Sequence, residues 1–449
     1  MDSASQSQQW RRPRLNTYAL ASALLASTNS ILLGYDIGVM SGAALFIKQD
    51  LKISSIQHEI LVGSLNLFSL IGSLASGKTS DCIGRRYTIV LAAAAFLAGA
   101  LLMGLAPSYP FLIAGRAVAG IGVGYSLMIA PLYTAEVSPA TTRGFLTSLP
   151  EVFINVGILV GYVVNYALSG LPPSYNWRLM LGLAAVPAVG IAAGVMAMPE
   201  SPRWLAMRGR ADEARAVLRR TSASDEEAEN RLDEITKSAA TLEQSQSVWR
   251  ELLRPPPPLR RVLIAAVGIN FFMQASGNDA VVYYTSAVFD AAGIHSRKGV
   301  VGVTVIMGVV KTSFVLISAL FLDHYGRRPL LLLGAMGQAL SLCGLGLGSK
   351  FLEHRAQKPV WAIVVCVIAG SGVESGVSVN RLVSGAVSMS FLSVSEKISF
   401  GGTFLVLSGI MVLASIFFYF MLPETRGKTL EEIGKLFQDK HPQTSTEMN

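Results

Sequence analysis

The sequence predicts an all-α membrane protein with two helical halves and eleven or twelve membrane-spanning segments. Three observations predict this class. Only 15% of the 449 residues are charged and the mean hydropathy is +0.47, whereas soluble proteins carry about 25% charged residues. The apolar residues form blocks close to the ~20 residues that a helix needs to cross a bilayer. The basic residues collect on one side of these blocks.

Apolar blocks form two groups around a polar segment at 199–260. Uncovered strand edges cannot face lipid, so helices are the expected form of each block. The first group of predicted spans lies near 17–42, 58–78, 87–106, 110–133, 145–169 and 179–198. The second group lies near 261–287, 299–322, 329–349, 359–397 and 401–422. Two stretches of the polar segment, 211–220 and 226–239, read as amphipathic helices.

These blocks predict five regions along the chain. They are a tail at 1–16, a first half at 17–198, a linker at 199–260, a second half at 261–422 and a tail at 423–449. Basic residues fall on one face if the amino terminus is cytoplasmic. They include Arg11, Arg12, Arg14, Arg85, Arg86, Arg143, Arg327, Arg328, Arg426 and Lys428. The net charge of +8 therefore indicates membrane orientation and not a nucleic-acid partner.

Two motifs occur in the same order in both halves, which indicates an internal repeat. The D-x-x-G-R-R loops hold Asp81, Arg85 and Arg86 in the first half and Asp323, Arg327 and Arg328 in the second. The halves end on Glu200 with Arg203 and on Glu424 with Arg426. A further charged loop carries Glu136 and Arg143. These residues form either a static positive-inside clamp or a cytoplasmic latch that breaks during transport.

The second half is shorter than the first between equivalent landmarks. Asp81 and Glu200 are 119 positions apart, whereas Asp323 and Glu424 are 101 apart, a difference of 18. The block 359–397 then forms either two short helices that turn near 374–376 or a single span. We favour the two helices, because a single span would put the basic carboxyl-terminal segment outside.

Two ionisable residues lie inside predicted spans of the first half. Asp36 and Arg116 would each cost at least ~2.5–3.5 kcal/mol alone at bilayer depth, so they are expected to form a pair. Protonation of Asp36 would release Arg116, which suits proton coupling. The alternative is a static pair that only positions helices.

Further polar residues provide candidate ligands for a hydroxyl-rich substrate. Glu151 begins the fifth span, and its carboxylate can accept two hydrogen bonds from adjacent hydroxyls. Gln274 and Asn278 are spaced i and i+4, so they are expected on one helix side, with Asp279 and Tyr283 nearby. Interhelical hydrogen bonding is the alternative role for this polar face.

The motifs resemble the sugar porter family of the major facilitator superfamily. The paired Asp-Gly-Arg-Arg loops, Pro199-Glu200-Ser-Pro-Arg203-Trp and Pro423-Glu424-Thr-Arg426-Gly carry this resemblance. The segments from Gln274 to Tyr284 and from Asn380 to Leu382 look like those of plant polyol and monosaccharide transporters. The resemblance implies the major facilitator fold and a small polyol or monosaccharide as substrate. It also places Glu151 and Asn380 at the ligand site and a proton at Asp36 with Arg116.

Other protein classes are not favoured by the sequence. Three cysteines cannot build a disulfide framework, and five scattered histidines show no metal-ligand spacing. The glycines at 120, 122 and 124 lie in an apolar span with no preceding strand, so they favour close helix packing over a nucleotide loop. We therefore expect no enzyme activity, no cofactor, no metal and no nucleic acid.

These observations together predict a proton-coupled symporter that works by alternating access. A transport-inactive or sensing protein is the alternative, because part of the family's tenth span and the loop after it are missing here. A proton-independent facilitator is a further alternative. We expect a monomer in the plasma membrane, with the vacuolar membrane as the other possibility, and a cytoplasmic amino terminus.

Overall fold

Long α-helices make up almost all of the described chain. The computed structural model describes residues 16–139, 142–222, 224–244, 257–284, 297–325, 327–352 and 381–422. Within them, nine helical segments are long and apolar enough to span a membrane, six in the first half and three in the second. The fold class predicted from the sequence therefore agrees with the helices of the described chain.

The helices of the first half and the linker follow one another with short connections. They are α1 Thr17–Thr28, α2 Ser30–Asp50, α3 Ser55–Ile83, α4 Arg85–Gly104, α5 Tyr109–Val137, α6 Arg143–Leu168, α7 Pro173–Gly182, α8 Ala185–Val195, α9 Pro202–Met207, α10 Ala211–Thr221 and α11 Asp225–Gln244. Helices α1 and α2 form one span that is interrupted at Asn29, and α7 with α8 form another. Most spans extend past their predicted ends, because polar residues continue the helix beyond the apolar block.

The second half contains five described helices. They are α12 Pro257–Ala275, α13 Asn278–Tyr283, α14 Arg297–Tyr325, α15 Arg327–Leu352 and α16 Arg381–Met421. Helix α16 is two helices that meet at Ser399, which has a φ of 68°. The ring centroids of Phe391 and Phe404 lie 6.2 Å apart. A straight helix would separate them by about 20 Å, so the chain reverses direction at Ser399.

The end of α15 and the start of α16, which residues 353–380 connect, lie at opposite faces of the helix bundle. Arg328, at the start of α15, donates to the carbonyl of Tyr419 near the end of α16, and Gly346 lies close to Gly401. Leu352 and Arg381 therefore lie at opposite faces. The 28 residues from 353 to 380 exceed the ~20 that a single helical span needs. The placement of Leu352 and Arg381 at opposite faces is what a twelve-span topology requires. The predicted turn at 374–376 lies outside the described residues.

Close helix packing and capping shape the first half. A Cβ on Gly122 would lie 2.7 Å from the Phe96 backbone nitrogen of α4, and one on Gly124 would clash with the Ser69 carbonyl of α3. Glycines on both sides of α5 thus let two neighbours approach closely, as the sequence predicts. Helix α3 begins with a capping box in which Ser54 and Gln57 bond each other's backbone.

Among the described residues, the two halves meet where α6 packs against α14, α3 against α16 and α2 against α13. Helices α9, α10 and α11 form a small separate apolar core around Leu205, Leu218 and Leu232. This linker core lies against the first half at the face of the turn between α3 and α4, which we call the linker face.

Candidate transport site

Asp36 and Arg116 form a fully buried ion pair between α2 and α5. Arg116 Nη1 lies 2.8 Å from Asp36 Oδ2 and 3.1 Å from Oδ1, with side chains 0% and 2% exposed. The remaining donors of Arg116 reach α3, where Nε bonds the Leu61 carbonyl at 3.1 Å and Nη2 bonds the Val62 carbonyl at 3.0 Å. The guanidinium therefore holds three helices together. Its bonds to two carbonyls do not depend on the charge of Asp36.

Glu151 lies at the contact between the two halves. Its carboxylate Oε1 accepts from Asn155 Nδ2 at 3.3 Å, and its carbonyl accepts from the same group at 2.9 Å. The Asn155 carbonyl accepts from Thr312 Oγ1 of α14 at 3.2 Å. Asn155 is 2% exposed, and its Oδ1 has no hydrogen-bond partner among the described residues. A buried amide oxygen of this kind suits a ligand hydroxyl or a bound water.

The seventh span is interrupted, which corrects the sequence interpretation. Helix α12 ends at Ala275 and α13 begins at Asn278, with Gly277 in the left-handed conformation at φ 78°. The prediction of one continuous helix from Gln274 to Asn278 was therefore wrong. A glycine accepts this backbone at no steric cost, and broken helices are common at transporter binding sites.

Gln274 and Tyr283 are buried on either side of this interruption. Gln274 is 5% exposed, and its Oε1 has no hydrogen-bond partner among the described residues. Tyr283 is 2% exposed. The side chains of Asn278 and Asp279 lie outside the described part of the structure, as does Asn380. The structure thus brings Gln274 to the break and leaves the side-chain geometry of these three residues open.

A network of charged side chains joins α3, α4 and α5 at the linker face. Arg85 Nη1 lies 2.9 Å from Asp81 Oδ1, while its Nε and Nη2 reach the two Glu136 oxygens at 3.0 and 3.1 Å. Ser201 Oγ also donates to Glu136. The Arg85 and Glu136 side chains are each 5% exposed. A bidentate Arg–carboxylate pair at this depth fixes the geometry as well as the charge.

Glu200 caps the amino terminus of α4. Its carboxylate accepts from the Arg85 backbone nitrogen at 2.8 Å and from that of Arg86 at 3.2 Å. Gly84 precedes these groups with a φ of 96°, and a Cβ there would clash with the Glu200 carboxylate. Free N–H groups and the helix dipole favour a negative charge at this place. Arg86 donates separately to the Met198 carbonyl at 3.1 Å.

Other predicted latch residues lie apart from this network. Arg203 is exposed and forms no hydrogen bond or ion pair with any other described residue. Arg143 lies near Arg231 and Glu234 of α11, while Glu136 is taken by Arg85 and Ser201. In the second half, Arg328 bonds the Tyr419 carbonyl at 2.7 Å. The side chains of Asp323 and Arg327 and the whole of Glu424 and Arg426 lie outside the described residues.

Three linker contacts were missed by the sequence interpretation. Trp204 Nε1 and Arg208 Nη2 donate to the Asp81 carbonyl at 3.0 and 2.8 Å, at the carboxyl end of α3. Arg231 Nη2 donates to the Ser138 carbonyl at 3.1 Å, just past the end of α5. Burial lowers the pKa of the Arg231 guanidinium, and the neighbouring charge of Arg143 lowers it further. Basic groups at helix carboxyl termini could have suggested these contacts.

The described residues hold no group of three or more His, Cys, Asp or Glu side chains arranged as metal ligands. The fold and the intramembrane ion pair define an integral membrane protein of the major facilitator class. Comparison with known proteins makes the assignment more specific.

The sequence model of a family described as "Sugar (and other) transporter" matches residues 22–371 and 367–437. The chain belongs to this family of transporters, which are not enzymes. Polyol transporter 5 of Arabidopsis thaliana is 51% identical over 469 aligned positions, covering 95% of this chain and 87% of that protein. Glucose transporter GlcP of Staphylococcus epidermidis is 34% identical, covering 91% and 95%.

Solved structures show the same fold. The proton:xylose symporter XylE bound to 6-bromo-6-deoxy-D-glucose matches with a TM-score of 0.80 and 25% identity, over 94% of this chain and 99% of that one. XylE from E. coli in its inward-open conformation matches with a TM-score of 0.72 and 25% identity, over 93% and 100%. The predicted major facilitator fold and the resemblance to plant polyol transporters are confirmed.

The comparisons also bear on the shortened second half. The family match divides at residues 367–371, near the place where the two halves of the sequence differ in length. The alignment with polyol transporter 5 has 469 positions, 20 more than the 449 residues of this chain. At least 20 aligned positions of that relative therefore have no counterpart here.

Proposed function

We propose that the protein is a proton-coupled symporter of polyols and monosaccharides. The observation that carries this proposal is the buried Asp36–Arg116 pair in a chain that is 51% identical to a polyol transporter. A structural relative with the same fold is described as a proton:xylose symporter. A carboxylate inside a membrane span is costly unless it is paired, and such residues usually mark a functional site.

Asp36 is the proposed proton acceptor. When its carboxylate is ionised, Arg116 holds it with two hydrogen bonds. A proton on Asp36 removes the charge attraction, while Arg116 keeps its bonds to the Leu61 and Val62 carbonyls. Protonation therefore weakens the contact between α2 and α5 without stranding the guanidinium. This is how a proton can bias one conformation over another.

The substrate site lies between the halves in this proposal. Glu151 would accept hydroxyl hydrogen bonds from one side, and Gln274 with Tyr283 would line the other. Asn278, Asp279 and Asn380 are the further proposed ligands. Support comes from the buried amide oxygens of Asn155 and Gln274, which lack hydrogen-bond partners among the described residues, and from the broken helix between Ala275 and Asn278.

Alternating access would rock one half against the other around this site. The latch of Arg85, Asp81 and Glu136 would hold the first half and linker as one unit at the cytoplasmic face, with Glu200 as a cap. Arg86 belongs to the same proposed latch, and its proposed counterparts in the second half are Asp323, Arg327, Arg328, Glu424 and Arg426. Arg143 and Arg203 lie apart from it. We further propose a monomer in the plasma membrane, with the amino terminus, linker and carboxyl terminus in the cytoplasm.

A transport-inactive or sensing protein is a second candidate function. The observation that favours it is the shortening of the second half near 367–371. Against it, Leu352 and Arg381 lie at opposite faces, as a chain with twelve spans requires. A proton-independent facilitator is the remaining candidate, and the buried Asp36–Arg116 pair argues against it.

Uptake of labelled sorbitol and glucose tests these candidates. Yeast cells without their own carriers would express the full chain, with surface expression measured for each variant. We expect uptake at acidic external pH that a protonophore abolishes. Uptake that ignores the protonophore would indicate a facilitator. A well-expressed chain that takes up neither label would favour the inactive or sensing protein, and the Asp36→Asn variant serves as the coupling control.

A further inference from the structure

A cavity lies at the linker face, between the first half and the linker helices. Its volume is about 590 Å³, which is within the ~300–1,000 Å³ of typical small-molecule sites. The starts of α1 and α4, the segment after α8, and helices α9 and α10 border it. We call it the linker cavity, and its aromatic and basic lining residues are Tyr18, Arg86, Tyr87, Trp204, Arg210 and Arg220.

Two of the three arginines in this lining have no counter-charge. Arg86 donates from Nη1 to the Met198 carbonyl at 3.1 Å, and its buried Nε has no hydrogen-bond partner among the described residues. Neither Arg86 nor Arg220 forms an ion pair with any residue that the structure describes. A buried N–H group without a partner is uncommon and suits a bound water or a ligand.

The two acidic side chains of the lining already have partners. Glu200 accepts from backbone nitrogens at the start of α4, the shortest of these bonds being 2.8 Å. Glu213 accepts two hydrogen bonds from the Arg210 guanidinium, each of 2.6 Å. Three arginines against two glutamates leave an excess of positive charge in the cavity. This excess belongs to Arg86 and Arg220.

Aromatic rings hold both of these guanidinium groups. The Arg86 guanidinium carbon lies 5.1 Å from the centre of the Tyr87 ring, and that of Arg220 lies 5.6 Å from the centre of the Tyr18 ring. A guanidinium group that faces a ring keeps its N–H edge available for an anion. A phosphate monoester has three acceptor oxygens and a charge near −2, so it can bind two guanidinium groups at once.

Apolar side chains beside the linker cavity favour a lipid as the source of the phosphate. Tyr87 of the lining is 49% exposed, and Leu91, one turn further along α4, is 42% exposed. Met196, which precedes the lining residue Ala197, is 48% exposed. Acyl chains would lie along these residues while the headgroup occupies the cavity. Basic pockets between membrane helices at the cytoplasmic face bind acidic headgroups in this way.

We propose that the linker cavity binds a phosphate group, with Arg86 and Arg220 as its ligands. The phosphate is that of an anionic lipid headgroup or of a free phosphorylated compound. Once bound, it joins α4 of the first half to α10 of the linker, and so stabilises the packing of the linker on the membrane helices. The inference goes beyond the function proposed above and does not depend on which solute is transported.

Binding to the purified full-length protein in a neutral detergent tests this site. The probes are dioctanoyl phosphatidic acid, glycerol 3-phosphate as the same headgroup without acyl chains, and dioctanoyl phosphatidylcholine as the lipid without net charge. The unfolding midpoint is measured against probe concentration. Native mass spectrometry of the same samples counts bound lipid, so that a ligand that binds without stabilising the protein is also detected.

Arg220→Gln is the main variant, because the Arg220 guanidinium lies at an exposed position and its loss should leave the fold intact. Arg219→Gln is the matched control. Arg219 is the neighbouring arginine of α10 and lies near Asp225 at 3.5 Å, outside the lining of the cavity. Arg86→Gln removes the second proposed ligand, and Arg220→Lys keeps the charge without the planar fork. The midpoint of each variant without a probe shows whether it is folded.

Phosphatidic acid should raise the unfolding midpoint of the wild type to a plateau, as a ligand of the folded state does, whereas phosphatidylcholine should not. Arg220→Gln and Arg86→Gln should each raise the apparent Kd about tenfold, Arg220→Lys by less, and Arg219→Gln by less than twofold. A shift with phosphatidic acid alone identifies a lipid as the ligand. An equal affinity for glycerol 3-phosphate identifies a free phosphorylated compound.

Two results would overturn the proposal. One is a wild type that neither binds phosphatidic acid or glycerol 3-phosphate nor is stabilised by either. The other is an equal loss of binding in Arg219→Gln and Arg220→Gln, because the lipid would then respond to the general surface charge of α10. Neither measurement requires transport, so a failure of the proposed function in uptake assays is distinguishable from a failure of this site.

Discussion

Gly84 provides a sharp test of the capped turn between α3 and α4. Its φ of 96° and ψ of 166° belong to a region that essentially only glycine occupies, at a cost of about 1–3 kcal/mol for another residue. A Cβ would also displace the Glu200 carboxylate, which accepts from the backbone of Arg85 and Arg86. Loss of a helix cap costs about 0.5–2 kcal/mol. Gly84→Ala should therefore destabilise the protein by about 1.5–5 kcal/mol.

Unfolding of the purified protein in detergent measures this effect, and Gly77→Ala is the matched control. Gly77 lies in α3 near the same turn, and a Cβ there meets nothing within 4 Å. This control should be neutral or stabilising by up to about 1 kcal/mol, because alanine is the better helix former. In a Glu200→Ala background, Gly84→Ala should cost only the backbone part. The reasoning fails if Gly84→Ala is as stable as Gly77→Ala.

Three further predictions concern the ion pair, the contact between halves and metals. Asp36→Asn should leave the fold intact and make uptake insensitive to a protonophore. Arg116→Ala should destabilise the protein by about 3–5 kcal/mol, since it leaves a buried carboxylate without its partner. Unfolding and uptake assays compare the two variants. Thr312→Val removes the bond to the Asn155 carbonyl and should cost about 0.5–1.5 kcal/mol, measured against Ser313→Ala by unfolding in detergent. A chelator should not change uptake, and a loss of uptake that added metal restores would contradict the account.

The membrane spans were predictable because their signal is local. Hydropathy locates each block. Most boundaries of the six spans in the first half lie within a few residues of the predicted boundaries. The pairing of Asp36 with Arg116 was also predictable, because each is an isolated charge inside an apolar span and needs a partner there. Chain length and hydropathy do not show that Arg116 also bonds the Leu61 and Val62 carbonyls of α3.

Contacts between distant segments were harder to predict. Arg208 bonds the end of α3 while Arg203, the residue of the repeated motif, is exposed. Both are arginines near the start of the linker. The sequence does not show which of them reaches α3, because that depends on the orientation of α9. The break at Gly277 was missed because an apolar block looks the same whether or not one glycine interrupts the helix.

The most direct test of the central claim uses the purified full-length protein in liposomes. A pH gradient, acidic outside, would be imposed on liposomes with labelled sorbitol outside. Proton-coupled symport predicts accumulation of sorbitol above the external concentration, followed by its loss when a protonophore dissipates the gradient. Asp36→Asn should only equilibrate the label. Simple equilibration by the wild type, with or without the gradient, would contradict proton coupling, and no entry at all would contradict transport.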